Sequence, residues 1–370
     1  MHILHVVGAR PNFMKAASVI RSLGERRHIK QTLVHTGQHY DLRMSDVFFA
    51  ELGIPEPDVN LQVGSASHAQ QSAEIMRRFE PVVVERKPDL VLVYGDVNST
   101  VSAALVCSKL QIKVGHVEAG LRSFDRSLPE EVNRVLTDQV ADLLFTPSAE
   151  ADANLMREGI PVSKIHRVGN VMIDTLVRML GRARETERNG RYALVTLHRP
   201  GNVDDLPWLG EMIAALQEIS HDLKVIFPVH PRTRQRMNDC GLLKGVNGSF
   251  QLVEPLPYLD FLTLQRHACF VITDSGGIQE ETTFLNIPCL TVRENTERPV
   301  TVEVGSNILV GRSVERLRGE VRRILAGQRK MGRVPELWDG SAADRIAAVI
   351  EAWPNRVLEA TKRGPTAVHS

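Results

Sequence analysis

Carboxylates follow two apolar runs of the sequence, at places where they could move protons. Asp96 follows the run VLVYG, and Glu118 follows the run KVGHV. A carboxylate at the end of a buried strand needs a partner, because removing it from water is costly. Asp96 also fits the N-cap of the next helix, and that alternative stays open. We interpret both residues as candidates for acid–base catalysis.

A third group of charges comes soon after Glu118, in the stretch PEEVNR. Pro129 suits the first turn of a helix, and the acids after it suit the positive end of the helix dipole. Glu130 and Arg134 are four residues apart and therefore share a helix face. Alone this is an ordinary surface ion pair, and its closeness to Glu118 suggests a common site. Glu131 is the alternative to Glu130.

In the second half of the chain, two histidines follow apolar runs. His198 follows YALVTL, and His230 follows KVIFPV. The chain has no HxH or HExxH arrangement, so we expect acid–base or phosphate-binding roles and no metal.

The stretch TDSGGIQEE joins an apolar run to a predicted helix. Ser275, Gly276 and Gly277 would place ligands close to the backbone, and a helix N-terminus binds phosphate through its unpaired N–H groups. Glu280 or Glu281 could accept hydrogen bonds from sugar hydroxyls, but neighbours do not share a helix face. The alternative is an ordinary helix start capped by Asp274 or Ser275.

The turn after the first apolar run reads GARPN, and Lys15 follows it. Arg10 at this turn could reach a phosphate or a carboxylate. A nicotinamide enzyme would show GxGxxG here, and the chain has no such motif, so we expect no cofactor.

These residues lie in a regular alternation of strands and helices. Short β-branched runs at 3–7, 89–95 and 113–120 alternate with segments of helical spacing, and the pattern restarts after about residue 170. Alternation predicts parallel βαβ units, hence an α/β fold with two Rossmann-like domains whose sheets face each other across a cleft. The predicted domains are 1–170 and 171–354, with a tail at 355–370 that packs on the first domain. Pro354 is expected to kink or break the last helix.

Length and composition agree with two globular domains. The chain has 370 residues, is 43% hydrophobic and 24% charged, and carries a net charge of +1. Without a charged run, neither nucleic acid nor an anionic membrane is expected as a partner. The four cysteines are scattered, no apolar run approaches the ~18 residues of a membrane span, and the first residues do not resemble a signal peptide. A cytoplasmic location is therefore expected.

Taken together, the motifs resemble the non-hydrolysing UDP-N-acetylglucosamine 2-epimerase family. The resemblance runs in order over nearly the whole chain and rests on GARPN, HTGQHYD (35–41), VYGDVNST (93–100), HVEAGLRS (116–123), PEEVNR (129–134), TLHRPGNV (196–203), TDSGGIQEE (273–281) and TERPVT (296–301). It implies a fold of the glycosyltransferase B type, a homodimer, and interconversion of UDP-N-acetylglucosamine and UDP-N-acetylmannosamine for polysaccharide biosynthesis.

The resemblance also implies roles for individual residues. The family's catalytic positions fall on Asp96, Glu118, Glu130, Arg134 and His198. Its contacts to the UDP-sugar fall on Arg10, Lys15, His230, Phe261, Ser275, Gly276, Gly277, Glu281 and Arg298. In that pattern Arg10 and the Ser-Gly-Gly amides bind the diphosphate, and Glu281 binds the ribose.

Three positions depart from the family pattern. Asn12 replaces a glutamate common in the first turn, and Pro200 with Gly201 replaces an Arg-Glu pair after His198-Arg199. Members with a second, regulatory UDP-N-acetylglucosamine site carry an Arg-Gln pair where this chain reads His68-Ala69-Gln70-Gln71. Gln38 and His39 of that site remain. The altered loop leaves room for another substrate, such as a UDP-2,3-diacetamido uronic acid.

Chemistry at C2 of the sugar favours elimination over direct proton removal. The C2 hydrogen is not acidic, because C1 is an acetal. Loss of UDP from C1 makes it acidic and yields a glycal, and addition from the other face inverts C2. The alternatives are a hydrolysing epimerase, a glycosyltransferase, for which GARPN is a poor first loop, and a non-catalytic nucleotide-sugar binding protein, which would not need the acids.

Overall fold

The chain forms two compact units. The structure is a computed structural model that describes residues 1–38, 51–183, 191–243, 246 and 248–362. Unit 1 comprises Met1–Leu121, Asp125–Thr175 and the chain from Leu337, and unit 2 comprises Arg122–Phe124 and Leu176–Glu336.

The chain rejoins unit 1 at Leu337, before the residue 355 expected from the sequence. Contacts within unit 1 explain the earlier position. Trp338 donates from Nε1 to Pro147 O at 3.0 Å. Asp174 accepts from Ala342 N at 3.1 Å and from Ala343 N at 2.7 Å. Residues 337–354 therefore belong with the first sheet.

Unit 1 contains a seven-stranded parallel sheet. Its strands are β1 His2–Val7, β2 Lys30–His35, β3 Val59–Asn60, β4 Leu90–Tyr94, β5 Lys113–Val117, β6 Leu143–Thr146 and β7 Ile165–Arg167. The order across the sheet is β3-β2-β1-β4-β5-β6-β7, so the order of the strands reverses between β1 and β4. Open α/β sheets bind ligands at the carboxyl ends of the strands, beside such a reversal.

Helices cover this sheet, which explains why its central strands are apolar throughout. They are α1 Arg10–Gly24, α2 His68–Arg86, α3 Asn98–Lys109, α4 Pro129–Val140, α5 Ala149–Arg157, α6 Val171–Leu180 and α14 Ala342–Lys362, with a 3-10 turn at Val162–Lys164. Helix α6 contains the boundary between the units.

The prediction that Pro354 ends the last helix is wrong. Helix α14 continues through Pro354, as α2 continues through Pro81. A proline inside a helix removes one hydrogen bond, and the flanking turns can keep the helix going on either side of it.

Unit 2 contains a six-stranded parallel sheet. Its strands are β8 Tyr192–Thr196, β9 Lys224–Pro228, β10 Phe250–Val253, β11 Phe270–Thr273, β12 Cys289–Thr291 and β13 Asn307–Leu309. The order is β10-β9-β8-β11-β12-β13, with the reversal between β8 and β11. Its helices are α7 Pro200–Val203, α8 Leu206–Ile219, α9 Pro231–Asp239, α10 Tyr258–His267, α11 Gly276–Leu285, α12 Pro299–Glu303 and α13 Val314–Leu325.

Successive residues of β8 point to opposite faces of this sheet and enter two separate clusters of buried apolar side chains. Ala193 and Val195 lie in the larger cluster, and Tyr192 and Leu194 lie in the smaller one. The predicted α/β fold with two Rossmann-like parallel sheets is confirmed. Within the described ranges, no helix is both long and apolar enough to cross a membrane.

Candidate active site

The turn after β1 is held to β4 by Asn12. The Asn12 side chain accepts from Gly8 N at 3.1 Å and Ala9 N at 3.2 Å, and donates to Tyr94 O at 2.7 Å. A Cβ at Gly8 would overlap the Ser99 hydroxyl, so this turn requires glycine. Asn12, which departs from the family pattern, therefore joins the ends of β1 and β4. Helix α1 begins at Arg10, immediately after this turn.

Lys15 of α1 and Glu118, which directly follows β5, form a buried ion pair. Lys15 Nζ lies 2.7 Å from Glu118 Oε1, and the two side chains are 5% and 4% exposed. A buried charge that loses its partner is strongly destabilising, so each residue depends on the other. The resemblance implied that Lys15 contacts the nucleotide, and the structure pairs it with a candidate catalytic residue.

Glu118 also has a strained backbone, with φ at 78°. Such a conformation costs a non-glycine residue on the order of 1–3 kcal/mol and persists only where surrounding contacts impose it. Here Glu118 N and Ala119 N donate to Phe145 O at 3.1 Å and 3.0 Å. The strain turns the chain sharply at the end of β5, which supports a functional role for this residue.

Asp96 is held by Arg134. Arg134 Nε and Nη2 lie 3.0 Å and 2.9 Å from Asp96 Oδ2, and Arg134 Nη1 contacts Glu131. Glu131 is 2% exposed, whereas Glu130 is exposed on the first turn of α4. The sequence places Glu130 on the same helix face as Arg134, but the ion pair of Arg134 is with Glu131. Glu131 lies three residues before Arg134, on the buried side of α4. Glu130 remains accessible to a ligand.

The region of the family's regulatory site is used for internal contacts. Gln38 Oε1 accepts from Ser99 N at 3.0 Å. Gln71 accepts from Asn98 Nδ2 at 2.9 Å and donates to Gln38 O at 3.2 Å. His39 lies outside the described residues. These contacts hold the first residues of α3, which begins two residues after Asp96.

In unit 2, Asp274 organises the turn after β8. His198 Nδ1 lies 3.0 Å from Asp274 Oδ1, and His198 N, Arg199 N and Asn202 Nδ2 all donate to the same carboxylate. Asp274 is fully buried, whereas the His198 side chain is 56% exposed. The buried acid therefore holds Nδ1 of the imidazole, and much of the His198 side chain remains accessible.

These donors also keep Asp274 ionised. Burial raises the pKa of Asp274, but the hydrogen bonds and charge of His198, with the donors Arg199 N and Asn202, outweigh burial and lower the pKa below its ordinary value. The sequence suggested Asp274 or Ser275 as the cap of α11, and the residue at the N-cap is Ser275. The partners of Asp274 lie in a distant turn, which no local pattern shows.

The Ser-Gly-Gly turn begins helix α11. Ser275 is its N-cap without a side-chain cap bond, and Gly276 and Gly277 begin the helix, half-buried. The first N–H groups of a helix have no intrahelical acceptor and attract anions. A Cβ at Gly276 would lie 2.5 Å from Arg298 Nη1, so the guanidinium touches this glycine. Backbone amides and a cation thus meet at one place.

Two buried carboxylates hold Arg298. Arg298 Nε lies 2.8 Å from Glu280 Oε1, and Nη1 contacts Glu297. Glu297 also pairs with Arg293 at 2.7 Å, and all four side chains are at most 8% exposed. Glu280, which the sequence left pointing elsewhere, therefore orients the predicted nucleotide contact Arg298.

Glu281 faces the other side of α11 and accepts a hydrogen bond. Tyr258 OH donates to Glu281 Oε1 at 2.8 Å, and both residues are buried. Phe261 is half-buried against the smaller core cluster, and His230 is exposed just before α9. Tyr258 carried no signal in the sequence, because only the fold brings α10 beside Glu281.

Comparisons with known proteins find relatives that match most of the chain. A family model described as UDP-N-acetylglucosamine 2-epimerase matches residues 21–351. The UDP-N-acetylglucosamine 2-epimerase of Methanococcus maripaludis is 44% identical over 359 residues, which are 93% of this chain and 97% of that protein. The UDP-2,3-diacetamido-2,3-dideoxy-D-glucuronate 2-epimerase of Pseudomonas aeruginosa is 43% identical over 318 residues, 84% of this chain and 88% of that protein.

A solved structure is similar over almost the full length. The crystal structure of the Methanocaldococcus jannaschii UDP-GlcNAc 2-epimerase, in complex with UDP-GlcNAc and UDP, matches with a TM-score of 0.87 at 41% identity. The match covers 95% of this chain and 99% of that chain. This similarity confirms the predicted fold class of the glycosyltransferase B type.

Proposed function

The chain belongs to the UDP-N-acetylglucosamine 2-epimerase family, and we propose that it interconverts UDP-N-acetylglucosamine and UDP-N-acetylmannosamine without releasing free sugar. One observation carries the proposal. Two candidate acids, Asp96 and Glu118, follow the adjacent strands β4 and β5, and each is paired with a cation at 2.7–2.9 Å. Paired carboxylates at neighbouring strand ends suit proton removal and return at a single carbon.

The proposed reaction begins with elimination. One carboxylate takes the C2 proton, the electron pair of the C2–H bond forms the C1=C2 double bond, and the C1–O bond breaks with UDP as the leaving group. In the return step a UDP oxygen attacks C1, and a carboxylic acid gives a proton to C2 on the opposite face. Asp96, Glu118 and Glu130 are the candidate acids and bases.

Unit 2 is proposed to bind the UDP. The amides of Gly276 and Gly277 with Arg298 suit the diphosphate, because fixed donors stabilise the charge that develops on a leaving group. Glu281, oriented by Tyr258, suits the ribose hydroxyls. His198 suits the departing phosphate, since its exposed side is free of the Asp274 contact.

The remaining predicted contacts complete this assignment. Arg10 is proposed to bind the diphosphate, and His230 and Phe261 the nucleoside part. Lys15 and Arg134 are proposed to hold the reacting carboxylates through the ion pairs described above.

The same residues suit two alternative outcomes. A hydrolysing epimerase would let water attack C1 after UDP leaves, releasing N-acetylmannosamine. A 2-epimerase of a UDP-2,3-diacetamido uronic acid is favoured by the 43% identity to the Pseudomonas aeruginosa enzyme and by the altered loop after His198. A homodimer also stays a prediction, which light scattering of the purified protein tests.

An exchange experiment separates these possibilities. The purified protein is incubated with UDP-N-acetylglucosamine in D2O and followed by proton NMR. We expect deuterium at C2 and the appearance of UDP-N-acetylmannosamine. Free N-acetylmannosamine with UDP would instead identify hydrolysis. No exchange with this substrate, but exchange with the 2,3-diacetamido uronate, would identify the other sugar as the substrate.

A further inference from the structure

A second pair of buried charges lies beneath the candidate acids of unit 1. His116 in β5 and Asp138 in α4 are both fully buried, and His116 Nδ1 lies 2.6 Å from Asp138 Oδ1. Neither residue is expected to touch substrate, since neither side chain is exposed. The pair therefore needs another explanation than direct catalysis.

Each end of this pair reaches the backbone of a turn that carries a candidate acid. His116 Nε2 lies 2.8 Å from Gly95 O, and Gly95 directly precedes Asp96. Asp138 Oδ2 accepts from Gly120 N at 3.1 Å, and Gly120 ends the Glu118-Ala119-Gly120 turn. One continuous chain of hydrogen bonds thus joins the turn at Asp96 to the turn at Glu118.

Both turns have backbones that few residues tolerate. Gly95 has φ at 62° and Gly120 has φ at 80°, within the left-handed region. A Cβ at Gly120 would lie 2.5 Å from Ala151 O, and Glu118 is itself at φ 78°. The glycines adopt this conformation readily, but a non-glycine residue such as Glu118 keeps it only where surrounding groups impose it. The His116–Asp138 pair supplies that support from below the sheet edge.

The hydrogen-bond partners determine where the protons lie. A carbonyl oxygen only accepts, so His116 Nε2 must carry a hydrogen toward Gly95 O. A neutral imidazole would then present a lone pair at Nδ1 to an ionised Asp138, which is repulsive at 2.6 Å. A hydrogen placed between Nδ1 and Oδ1 would relieve this repulsion and complete the chain of hydrogen bonds from Gly95 O to Gly120 N.

A histidine in the neighbouring part of the same sheet shows the contrast. His5 in β1 is also buried, with Nδ1 2.7 Å from Tyr94 Oη and Nε2 2.9 Å from Gln31 Oε1. Burial lowers the pKa of His5 to about 4, so it is neutral near pH 7. Both of its partners are side chains, and it bonds to neither turn. His5 is therefore a matched control for the loss of a buried histidine.

We infer that His116 and Asp138 are positioning residues that fix the separation of Asp96 and Glu118 by joining their two turns. The inference rests on the proposed function, because it concerns the acids that serve C2. In this role the hydrogen bonds of the pair hold the two turns in place, and the net charge of the pair is not used.

This distinction makes Asp138→Asn informative. The asparagine oxygen can accept from Gly120 N, and its NH2 group can donate to a neutral His116 Nδ1, whose Nε2–H still donates to Gly95 O. Every bond of the chain therefore survives. Asp138→Ala, in contrast, removes the connection.

The test measures kcat, the primary isotope effect of C2-deuterated substrate, and the Kd for UDP by calorimetry. For Asp138→Ala we expect kcat to fall about 100-fold, as for a misplacement near 1 Å, with an isotope effect larger than wild type. The Kd for UDP should stay within about 2-fold, since the proposed UDP contacts other than Arg10 lie in unit 2. Asp138→Asn should recover kcat to within about 5-fold of wild type.

Three results would overturn the inference. Asp138→Ala with wild-type kcat would show that the turns need no such support. Asp138→Asn as slow as Asp138→Ala, while binding UDP normally, would mean that the charge or the proton itself is used. His5→Gln with the same loss as His116→Gln would reduce the effect to packing.

Two further controls keep the outcomes distinct. If Asp138→Ala fails to fold, two variants of His116 replace it in the test. His116→Gln retains a donor toward Gly95 O, and His116→Asn retains a donor toward Asp138. Both should lower kcat, because each keeps only half of the connection. An inactive wild-type protein would instead overturn the proposed function, and the inference with it.

Discussion

The carboxyl ends of the two sheets carry opposite arrangements of buried charge. In unit 1 the groups nearest the strand ends are the acids Asp96 and Glu118, and the cations Arg134 and Lys15 hold them. In unit 2 the group at the glycine turn is the cation Arg298, and buried acids hold it.

The difference corresponds to two kinds of task. An acid held by a cation keeps a fixed position and can still exchange a proton with a ligand. An arginine held by two acids cannot lose its proton, and it offers a fixed planar set of donors to an oxyanion. At the ends of β4 and β5, acids are the proposed ligand contacts and cations support them, whereas at the glycine turn a cation is the proposed contact and acids support it. The contrast supports proton chemistry in unit 1 and phosphate binding in unit 2.

The largest expected effect comes from removing an acid of unit 1. Asp96→Asn should lower kcat about 1,000-fold, in the range that general acid–base groups contribute. The Kd for UDP should change by less than about 2-fold if phosphate binding belongs to unit 2. Steady-state kinetics and calorimetry check both numbers. The N-cap of α3 is Val97 and not Asp96, so activity near wild type would leave Asp96 only as the ion-pair partner of Arg134 and would break the contrast.

The Lys15–Glu118 pair should show the dependence of a buried acid on its cation. Lys15→Met removes the cation that lies 2.7 Å from the buried Glu118 carboxylate and should lower the free energy of unfolding by about 3–5 kcal/mol. The double variant Lys15→Met/Glu118→Gln should be more stable than Lys15→Met alone, because the second substitution removes the buried negative charge. Urea unfolding of the wild type, the two single variants and the double variant measures this. Strict additivity would show that the two residues are not coupled.

Adjacent residues of α4 allow a matched test of role. Glu130→Gln should lower kcat about 100-fold without changing the unfolding midpoint, because Glu130 is exposed. Glu131→Gln should lower the midpoint, because Glu131 is buried against Arg134. If Glu131→Gln alone affected kcat, the catalytic acid would be Glu131.

In unit 2, Gly276→Ala should affect binding more than chemistry. Its Cβ would lie 2.5 Å from Arg298 Nη1 and 2.9 Å from Glu297 Oε1, so the guanidinium must move. We expect the Kd for UDP to rise about 30-fold, equal to about 2 kcal/mol, with the C2 isotope effect unchanged. Gly319→Ala, where a Cβ meets nothing within 4 Å, is the control. Unchanged UDP binding would remove Arg298 and the turn from the phosphate site.

The smallest effect is expected at Tyr258. Tyr258→Phe removes the donor to Glu281 Oε1. We expect UDP to bind about 5-fold more weakly, because one hydrogen bond to a charged group is lost and its effect on UDP is indirect. Binding of 2′,3′-dideoxy-UDP should be less sensitive to the variant, because Glu281 then has no ribose hydroxyl to bind. Equal losses for both nucleotides would argue against the ribose assignment.

The sequence predicted what depends on local pattern and on the general rule for strand ends. Alternating strands and helices, the positions of the carboxylates after β4 and β5, and the Ser275-Gly276-Gly277 turn at the start of a helix were all accessible in this way. The break at Pro354 was wrong, because a single local preference does not decide how far a helix extends.

Partners across the fold were not accessible from the sequence. Asp274 bonds to a turn 75 and 76 residues away, and Tyr258 lies 23 residues from Glu281. Whether Glu130 or Glu131 pairs with Arg134 depended on which side of α4 is buried. His116 reads as an ordinary strand residue until its two nitrogens are traced to Asp138 and Gly95.

The proposed departure and return of UDP is tested most directly by a double isotope experiment. UDP-N-acetylglucosamine carrying 18O in the bridge between C1 and the β-phosphorus is incubated with the wild-type protein in D2O. Proton NMR measures deuterium at C2, and phosphorus NMR measures the position of the 18O. The account predicts that deuterium enters C2 while the label moves into non-bridging β-phosphate positions, because UDP leaves and returns. Deuterium at C2 with all of the label still in the bridge would contradict it.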